Sequence, residues 1–382
     1  MKIAFISSYP PTDRSLRSGI VYSMYNQILK HNEVLWIEPK LNFWEHLIQR
    51  IIVRVRDFLI HFKKSDVTTL FPLYSRQFGK ALTRQLKNVD CDYIFSYDCE
   101  QFAYIDTEKP IIYRTDSTYH LLIDYYYFNV PKLFNRWADQ VQKIALEKCK
   151  AVVTPCDWVK RSIKNDYGLD NSKVYVIESG ANLSERPPIF KRKYSKTECN
   201  LVFIGIDTIR KGVDIAIEAT RVLNDEYGFR AQLSIIGGSI PARYKDLPYI
   251  NWIGFLDKNK AEDNILFMNT IEQSHLFLFP TKAECAGIVN CEASAYGLPI
   301  ISYDTGGIEN YVINGKNGYR LPLSAGGKDF AKIINEIYDR GEMVKLSAGA
   351  RNLYEKVFNW DKFGERYNKM VEELMSFDVI RR

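Results

Sequence analysis

Short apolar runs alternate with helix-length segments along most of the chain, and this alternation is the strongest constraint on its fold. KIAFISS at 2–8 precedes the helical pattern IVYSMYNQILK, and the same order restarts with NLVFIG at 200–205. Alternating β and α segments are typical of a parallel sheet that is covered by helices on both faces. Because the alternation occurs in both halves, the sequence predicts an α/β fold with two doubly wound, Rossmann-like domains.

The stretch RPPIFKRKYSKTECN, residues 186–200, interrupts the alternation. It is rich in Pro and basic residues and has no periodicity, which is typical of a linker. A chain of 382 residues is also too long for one ordinary core. We therefore expect an N-terminal domain at 1–185, a C-terminal domain at 186–358, and an amphipathic helix within 359–382 that packs back on the N-terminal domain.

Composition excludes several classes of protein. Hydrophobic residues make up 46% of the chain and charged residues 26%, with a formal net charge of +6, as in globular proteins. The basic residues form no dense patches, so nucleic acid is not an expected partner. The seven Cys show no CxxC pair and no zinc spacing, which predicts free thiols in a reducing compartment and no metal site. With no signal peptide or membrane-spanning run, we expect a cytoplasmic protein.

Residues 41–64, LNFWEHLIQRIIVRVRDFLIHFKK, have apolar residues at helical spacing. Bulky aromatic and aliphatic residues fall on one face, and Arg and Lys lie largely on the other. This composition is typical of a helix in a membrane interface, but also of an ordinary amphipathic helix that packs on a sheet. Both interpretations stay open. The first would make an anionic membrane surface, at the inner membrane face, a partner.

Two carboxylates, Glu284 and Glu292, lie in PTKAECAGIVNCEASAYGLP, the stretch Pro280 to Pro299. It follows the apolar run HLFLFP, and IVNCEASAY predicts a short helix that stops at Gly297. The amides of a helix N-terminus suit a phosphate. A carboxylate beside a phosphate would repel it, so the two acids are better suited to accepting hydrogen bonds from sugar and ribose hydroxyls. Together these features predict a nucleotide-sugar site.

Further candidates follow other predicted strands, where ligands of parallel sheets collect. Arg210 and Lys211 lie in the loop IDTIRKG that follows NLVFIG and are well placed to bind a diphosphate. Asp116 ends the predicted strand PIIYRTD, and Gly19 lies in the first strand-to-helix loop. The loop that begins TGGIEN at residue 305 has adjacent glycines, which allow close approach of backbone to a ligand.

These motifs, in this order, resemble the retaining glycosyltransferases of the GT-B fold, most closely the large family 4 (glycosyl transferases group 1). Glu284 and Glu292 match the E-x7-E pattern of that family, and LVFIGIDTIRKGVDIAIEA resembles its phosphate-binding strand-loop-helix. VIESGANL and the segment Thr305–Pro322 resemble two more of its motifs. The resemblance covers most of residues 175–325 and implies two Rossmann-like domains that face a central cleft.

The resemblance also implies roles for single residues. Glu292 would bind the ribose hydroxyls of the donor, and Glu284 the hydroxyls of the donor sugar. Arg210 and Lys211 would stabilise the leaving diphosphate. The remaining donor contacts would come from the amides of Gly287, Ile288 and Val289, from Phe255 and Leu256 at the base, and from Gly19 at the phosphates.

Two departures from the family pattern stand out. The first acid is followed by Cys285 and Ala286, where many members have EGFG, and Asp116 occupies the place where many members have a catalytic His. Asp116 is therefore the candidate for a catalytic role on the acceptor side.

The expected function is retaining transfer of a sugar from a UDP- or GDP-linked donor to a glycan or a lipid-linked acceptor, as in cell-surface polysaccharide or glycoconjugate synthesis. The enzyme would be a hexosyltransferase that needs no metal and no cofactor besides its donor substrate, because cations and helix amides can stabilise the leaving group. The alternatives are a nucleotide-sugar 2-epimerase on the same fold and a non-catalytic nucleotide-sugar sensor.

Overall fold

The structure of the chain is a computed structural model. It describes residues 1–14, 16–59, 72–183, 185–257 and 260–380. The described chain forms two compact units. The first comprises Met1–Glu178 together with Phe363–Arg382, and the second comprises Ser179–Lys362.

The first unit is built on a parallel sheet of six strands. In chain order these are β1 (Lys2–Ile6), β2 (Glu33–Ile37), β3 (Tyr93–Ser96), β4 (Ile111–Arg114), β5 (Ala151–Thr154) and β6 (Val174–Val176). Their order across the sheet is β2-β1-β3-β4-β5-β6. Strands β3, β4 and β5 are interior to the sheet and buried at every position. This is expected for a parallel sheet covered on both faces.

Seven helices connect these strands in the described part of the first unit. They are α1 (Ile20–Leu29), α2 (Phe43–Leu59), α3 (Pro72–Leu86), α4 (Cys99–Phe102), α5 (Tyr119–Leu122), α6 (Lys132–Lys148) and α7 (Asp157–Asn165).

Most of the apolar side chains of α2 that the structure describes are exposed to solvent. Trp44 is 68% exposed, and Ile48, Ile51 and Val55 are 45–51% exposed. The residue that α2 buries is Glu45, which accepts two hydrogen bonds of 2.9 Å from Arg84 of α3. The alternative in which the apolar face packs on the sheet therefore does not hold for this part of the helix. Residues 60–64 of the predicted helix lie outside the described residues.

The second unit repeats the plan with another parallel sheet of six strands. These are β7 (Cys199–Gly205), β8 (Ala231–Gly237), β9 (Ile250–Gly254), β10 (Leu276–Phe279), β11 (Ile300–Tyr303) and β12 (Gly318–Leu321). Their order is β12-β11-β10-β7-β8-β9. Strands β7 and β10 are thus neighbours, although about 70 residues of chain separate them.

Six helices surround the second sheet in the described chain. They are α8 (Val213–Glu226), α9 (Ala261–Gln273), α10 (Ile288–Ala295), α11 (Ile308–Tyr311), α12 (Gly327–Asp339) and α13 (Met343–Lys356). Two parallel six-stranded sheets with interleaved helices confirm the predicted fold class, which is two Rossmann-like α/β domains.

The last helix, α14 (Trp360–Ile380), packs on β3 through the side chains of its middle turns. The Tyr367 ring lies 5.8 Å from that of Phe95, and its hydroxyl is 3.2 Å from the hydroxyl of Tyr93. Arg366 also pairs with Glu178. Residues from Phe363 onward therefore belong to the first unit.

Candidate functional site

The loop between β7 and α8 is held against the end of β10. Gly212 begins α8 with a φ of +78°, and a Cβ there would collide with the carbonyl oxygen of Pro280. The amide of Lys282 donates a 2.9 Å hydrogen bond to the carbonyl of Arg210. Glycine at 212 is therefore required both by the left-handed backbone and by the close approach of the two loops.

This close approach brings Arg210, Lys211 and Glu284 together. The Lys211 ammonium pairs with Oε2 of Glu284, and Nη1 of Arg210 is 4.0 Å from the same oxygen. Nη1 of Arg210 also donates to the carbonyl of Ala283 at 2.6 Å. We call Arg210, Lys211 and Glu284 the ion cluster; it joins the ends of the neighbouring strands β7 and β10.

The ion cluster is largely removed from solvent. The side chains of Lys211 and Glu284 are each 13% exposed, and that of Arg210 is 28% exposed. Lys211 lies over the Phe279 ring at 4.7 Å, a favourable cation–π position. Burial lowers the pKa of Lys211 below its ordinary value, and the charge of Glu284 opposes this shift only in part. Electrostatic interactions are strong in such a site.

Helix α10 begins beside this cluster. Gly287 is its N-cap with a φ of +63°, and no side chain caps the helix. A Cβ on Gly287 would be 3.2 Å from Cγ of Glu284, so the first turn lies directly against the ion cluster. The amides of Ile288 and Val289 follow in this turn, where the positive end of the helix dipole attracts anions. The predicted short helix is confirmed, and Glu292 lies one turn in and is buried.

The glycine-rich loop after β11 is also tied to the ion cluster. The amide of Gly307 donates a 3.1 Å hydrogen bond to the carbonyl of Glu284, and Gly306 has a φ of +53°. Phe255 and Leu256 follow β9, which is two strands from β7 in the sheet. At about 4.8 Å per strand, this places them on the order of 10 Å to the side. Phe255 is 65% exposed there.

In the first unit, the structure places Asp116 in a cavity of about 510 Å³ at the ends of β3 and β4. The hydroxyl of Tyr97 donates to Oδ2 of Asp116, and the buried Arg114 is 3.5 Å from Oδ1. Gly19 is the N-cap of α1 with a φ of +76°, and the neighbouring Arg17 lines the same cavity. We call this the tyrosine cavity, because five of its lining residues are tyrosines.

The sequence reasoning missed two carboxylates of this cavity, Asp98 and Glu100. Asp98 accepts a 2.8 Å hydrogen bond from Arg17. Burial raises the pKa of Asp98, although Arg17 opposes the rise, and burial together with the charge of Asp98 raises the pKa of Glu100 to about 8. A signal was available, because SYDCE places both acids directly after the apolar run of β3, where ligands of parallel sheets collect.

The described residues contain neither a cluster of metal-ligating side chains nor a membrane-spanning helix. No group of three or more His, Cys, Asp or Glu side chains there is arranged to hold a metal ion. No helix in the same residues is both long enough and apolar enough to cross a membrane.

Known structures share this architecture, and they define the class. A sucrose-phosphate synthase from Thermosynechococcus elongatus superposes with a TM-score of 0.67 at 15% identity, covering 98% of this chain and 99% of that one. An Anabaena protein in complex with UDP and glucose gives 0.60 at 15% identity, covering 97% and 99%. At such identities the likeness establishes the fold alone, which is that of the GT-B glycosyltransferases.

Family models identify the chain more closely. The model of "Glycosyl transferases group 1" matches residues 186–352, and that of "Glycosyltransferase Family 4" matches residues 45–185. The chain therefore belongs to the group 1, family 4 type of glycosyltransferases. A D-inositol 3-phosphate glycosyltransferase of Xylanimonas cellulosilytica is 24% identical in an alignment 224 residues long that covers 51% of this chain and 50% of that protein. The chain thus spans about half the length of this relative. The comparisons give no support to the epimerase alternative.

Proposed function

We propose that the protein is a glycosyltransferase that moves a hexose from a nucleotide diphosphate sugar to a glycan or a lipid-linked acceptor, with retention of configuration. The observation that carries the proposal is the ion cluster of Arg210, Lys211 and Glu284 against the uncapped first turn of α10. Two partly buried cations, a carboxylate and the amides of a helix N-terminus match a diphosphate that is bonded to a sugar. A role in the synthesis of cell-surface polysaccharide or glycoconjugates would suit such an activity.

The proposed roles follow from charge. When the nucleoside diphosphate leaves, negative charge grows on the phosphate, and Arg210, Lys211 and the α10 amides would stabilise it. Cations that are already fixed in a partly dry site are effective at this and need no metal ion. Glu284 would release Lys211 toward the phosphate and accept hydrogen bonds from the donor sugar. Glu292 would hold the ribose.

The remaining predicted residues would complete the site. Phe255 and Leu256 would contact the base, and the exposed ring of Phe255 offers a surface for stacking. Gly19 would allow close approach of backbone to phosphate. Asp116, held by Tyr97 and Arg114, would contact the acceptor. UDP is the first donor nucleotide to test, because a protein of the same fold binds it.

A thermal-shift screen of UDP, GDP and their sugars tests the donor site. A ligand at about 100 times its dissociation constant stabilises a protein by about 2.7 kcal/mol. Glu284→Gln and Lys211→Ala should weaken donor binding at least about tenfold, which lowers this stabilisation to about 1.4 kcal/mol or less, and should reduce the transfer rate at least about tenfold. The matched control is the surface pair Lys328 and Glu226, whose side chains are 68% and 49% exposed; Lys328→Ala and Glu226→Gln should change neither.

Product analysis completes this test. The anomeric configuration of the product, followed by NMR from the first turnovers, should equal that of the donor. Addition of EDTA should leave the rate unchanged. Full transfer by Glu284→Gln with its own donor, or conversion of the nucleotide sugar without any acceptor, would refute the proposal.

We further propose that α2 contacts an anionic membrane surface. Most of its described apolar side chains are exposed, and Arg50 and Arg54 lie on the same helix. Apolar residues flanked by Arg favour an interfacial position. Flotation with vesicles rich in phosphatidylserine should be lost in Arg50→Glu/Arg54→Glu and in Ile48→Asp. Val344→Asp changes an apolar residue of α13 that is 67% exposed, compared with 45% for Ile48, and is the control. Unaltered flotation of both α2 variants would rule out this contact.

A further inference from the structure

The tyrosine cavity of the first unit has a chemical character that the proposed function does not specify. It holds about 510 Å³, which is within the usual range for sites that bind small molecules. Its lining combines rings with polar groups. The tyrosines are Tyr9, Tyr97, Tyr113, Tyr119 and Tyr127.

The charges of this lining are mainly negative. The carboxyl groups of Asp98, Glu100 and Asp116 line the cavity, Glu100 mainly in its protonated form at pH 7 because its pKa is raised to about 8, and Arg17 is the single cation among the described lining residues. Arg17 already donates to Asp98 at 2.8 Å. The fully buried Arg114 forms an ion pair with Asp116, with 3.5 Å between Nη2 and Oδ1. A phosphate group would therefore meet carboxylates and cations that are already paired, and repulsion between like charges would disfavour its binding.

Hydroxyl groups suit the same lining well. Carboxylates accept strong, charge-assisted hydrogen bonds from hydroxyls. Gln142, which is buried and bonded to Tyr113 at 3.4 Å, adds an amide. The protonated form of Glu100, favoured by its pKa of about 8, can donate as well as accept. Tyrosine rings provide apolar faces with polar edges, which match the alternating C–H and O–H groups of a sugar.

We propose that the tyrosine cavity binds an uncharged, hydroxyl-rich sugar unit and discriminates against its phosphorylated counterpart. Under the proposed function, on which this assignment rests, that sugar unit belongs to the acceptor. The acceptor class would then differ from that named for the D-inositol 3-phosphate glycosyltransferase that the chain resembles.

The test is binding of matched pairs to the full-length protein, measured by saturation-transfer NMR with competition titrations. The pairs are glucose and glucose 6-phosphate, mannose and mannose 6-phosphate, galactose and galactose 6-phosphate, and myo-inositol and its 3-phosphate. Saturating UDP is present throughout to occupy the nucleotide site. At least one uncharged member should bind at least about tenfold more tightly than its phosphate.

Variants locate the binding. Tyr9→Ala should weaken the uncharged sugar at least about fivefold, and Asp98→Asn with Glu100→Gln should reduce the discrimination to below about threefold. Glu147→Gln, which changes an exposed carboxylate of α6, should alter neither. Equal or tighter binding of phosphates, no binding by any uncharged sugar, or a signal insensitive to Tyr9→Ala overturns the assignment.

The proposed function is judged separately. If UDP stabilises the protein and uncharged sugars fail to bind, only the assignment of the tyrosine cavity falls. If neither UDP nor any nucleotide sugar stabilises the protein, the donor proposal falls, whatever the cavity binds.

Discussion

The buried pair of Lys211 and Glu284 allows a quantitative test of the second unit. Removing one partner of a buried ion pair costs about 3–5 kcal/mol, because the other charge is left uncompensated. Here Arg210, 4.0 Å from Oε2 of Glu284, partly compensates that carboxylate. Lys211→Met should therefore destabilise the protein by about 2–3 kcal/mol.

Glu284→Gln has the opposite effect, because it leaves the positive charge of Lys211 without its carboxylate partner. Lys211 keeps its charge in a site where burial already lowers its pKa, and the carboxylate that opposed the shift is gone. We expect a similar loss of about 2–3 kcal/mol at pH 7. The loss should shrink as the pH rises toward the ordinary pKa of lysine. A group with a lowered pKa in the folded state disfavours folding only while the unfolded chain still holds the proton.

The double variant Lys211→Met/Glu284→Gln removes both charges and conserves volume. It should lose only about 1 kcal/mol, so the two changes should show a coupling energy of about 3–5 kcal/mol. Urea unfolding followed by circular dichroism measures each corner of the cycle, with stability taken from the shift in midpoint at constant slope.

The surface pair of Arg221 and Asp225 provides the control cycle. Their side chains are 44% and 55% exposed and 2.8 Å apart on one helix. Such pairs couple by about 0.3–0.5 kcal/mol. A coupling for Lys211 and Glu284 no larger than this would refute the reasoning. The double variant should also fail to show the thermal shift with UDP, which separates the ligand-binding role of the pair from its role in stability.

Three further changes test other features of the two units. Gly212→Ala should cost about 3 kcal/mol or more by urea unfolding, whereas Gly228→Ala, with a φ of +68° but nothing within 4 Å of the new Cβ, should cost about 1 kcal/mol. Glu100 has a raised pKa of about 8, so its contribution to stability falls as pH rises from about 5 to 8. Glu100→Gln should abolish this pH dependence of the unfolding free energy and stabilise the protein by about 2 kcal/mol at pH 8. An unchanged pH dependence would contradict the raised pKa of Glu100. Arg366→Ala should cost about 1–2 kcal/mol, with no further loss on adding Glu178→Ala.

Much of the fold could be predicted from local patterns in the sequence. The runs of β7 and β10 are apolar, and the loops that follow them contain glycines and charged residues. A strand, a loop and a helix start can be predicted from such spacing alone. The pairing of Lys211 with Glu284 could not be predicted, because it depends on β7 lying beside β10. Strand order is a property of the whole sheet.

The helix α2 shows a different limit. Its helical period is plain in the sequence, and the predicted helix over 43–59 is present. A period shows only that one face is apolar. It does not reveal which face the rest of the protein covers, and here the described apolar residues are exposed while Glu45 is buried against Arg84. The ion pair of Glu45 with Arg84, which the helical period does not reveal, accompanies this orientation of α2.

The two candidate sites also differ in how far the sequence reveals them, and the reason is chemical. A diphosphate can be bound by backbone amides at a helix start and by cations in one loop, so its signature is local and readable. The tyrosine cavity is assembled from side chains far apart in the chain, such as Arg17 and Asp98, 81 residues apart. Apart from Tyr113 on β4 and Gln142 on α6, its lining residues lie on loops and short helices, which can change without disturbing the sheet. Acceptor choice in such a fold can therefore vary while the donor site stays the same, and only the assembled side chains reveal it.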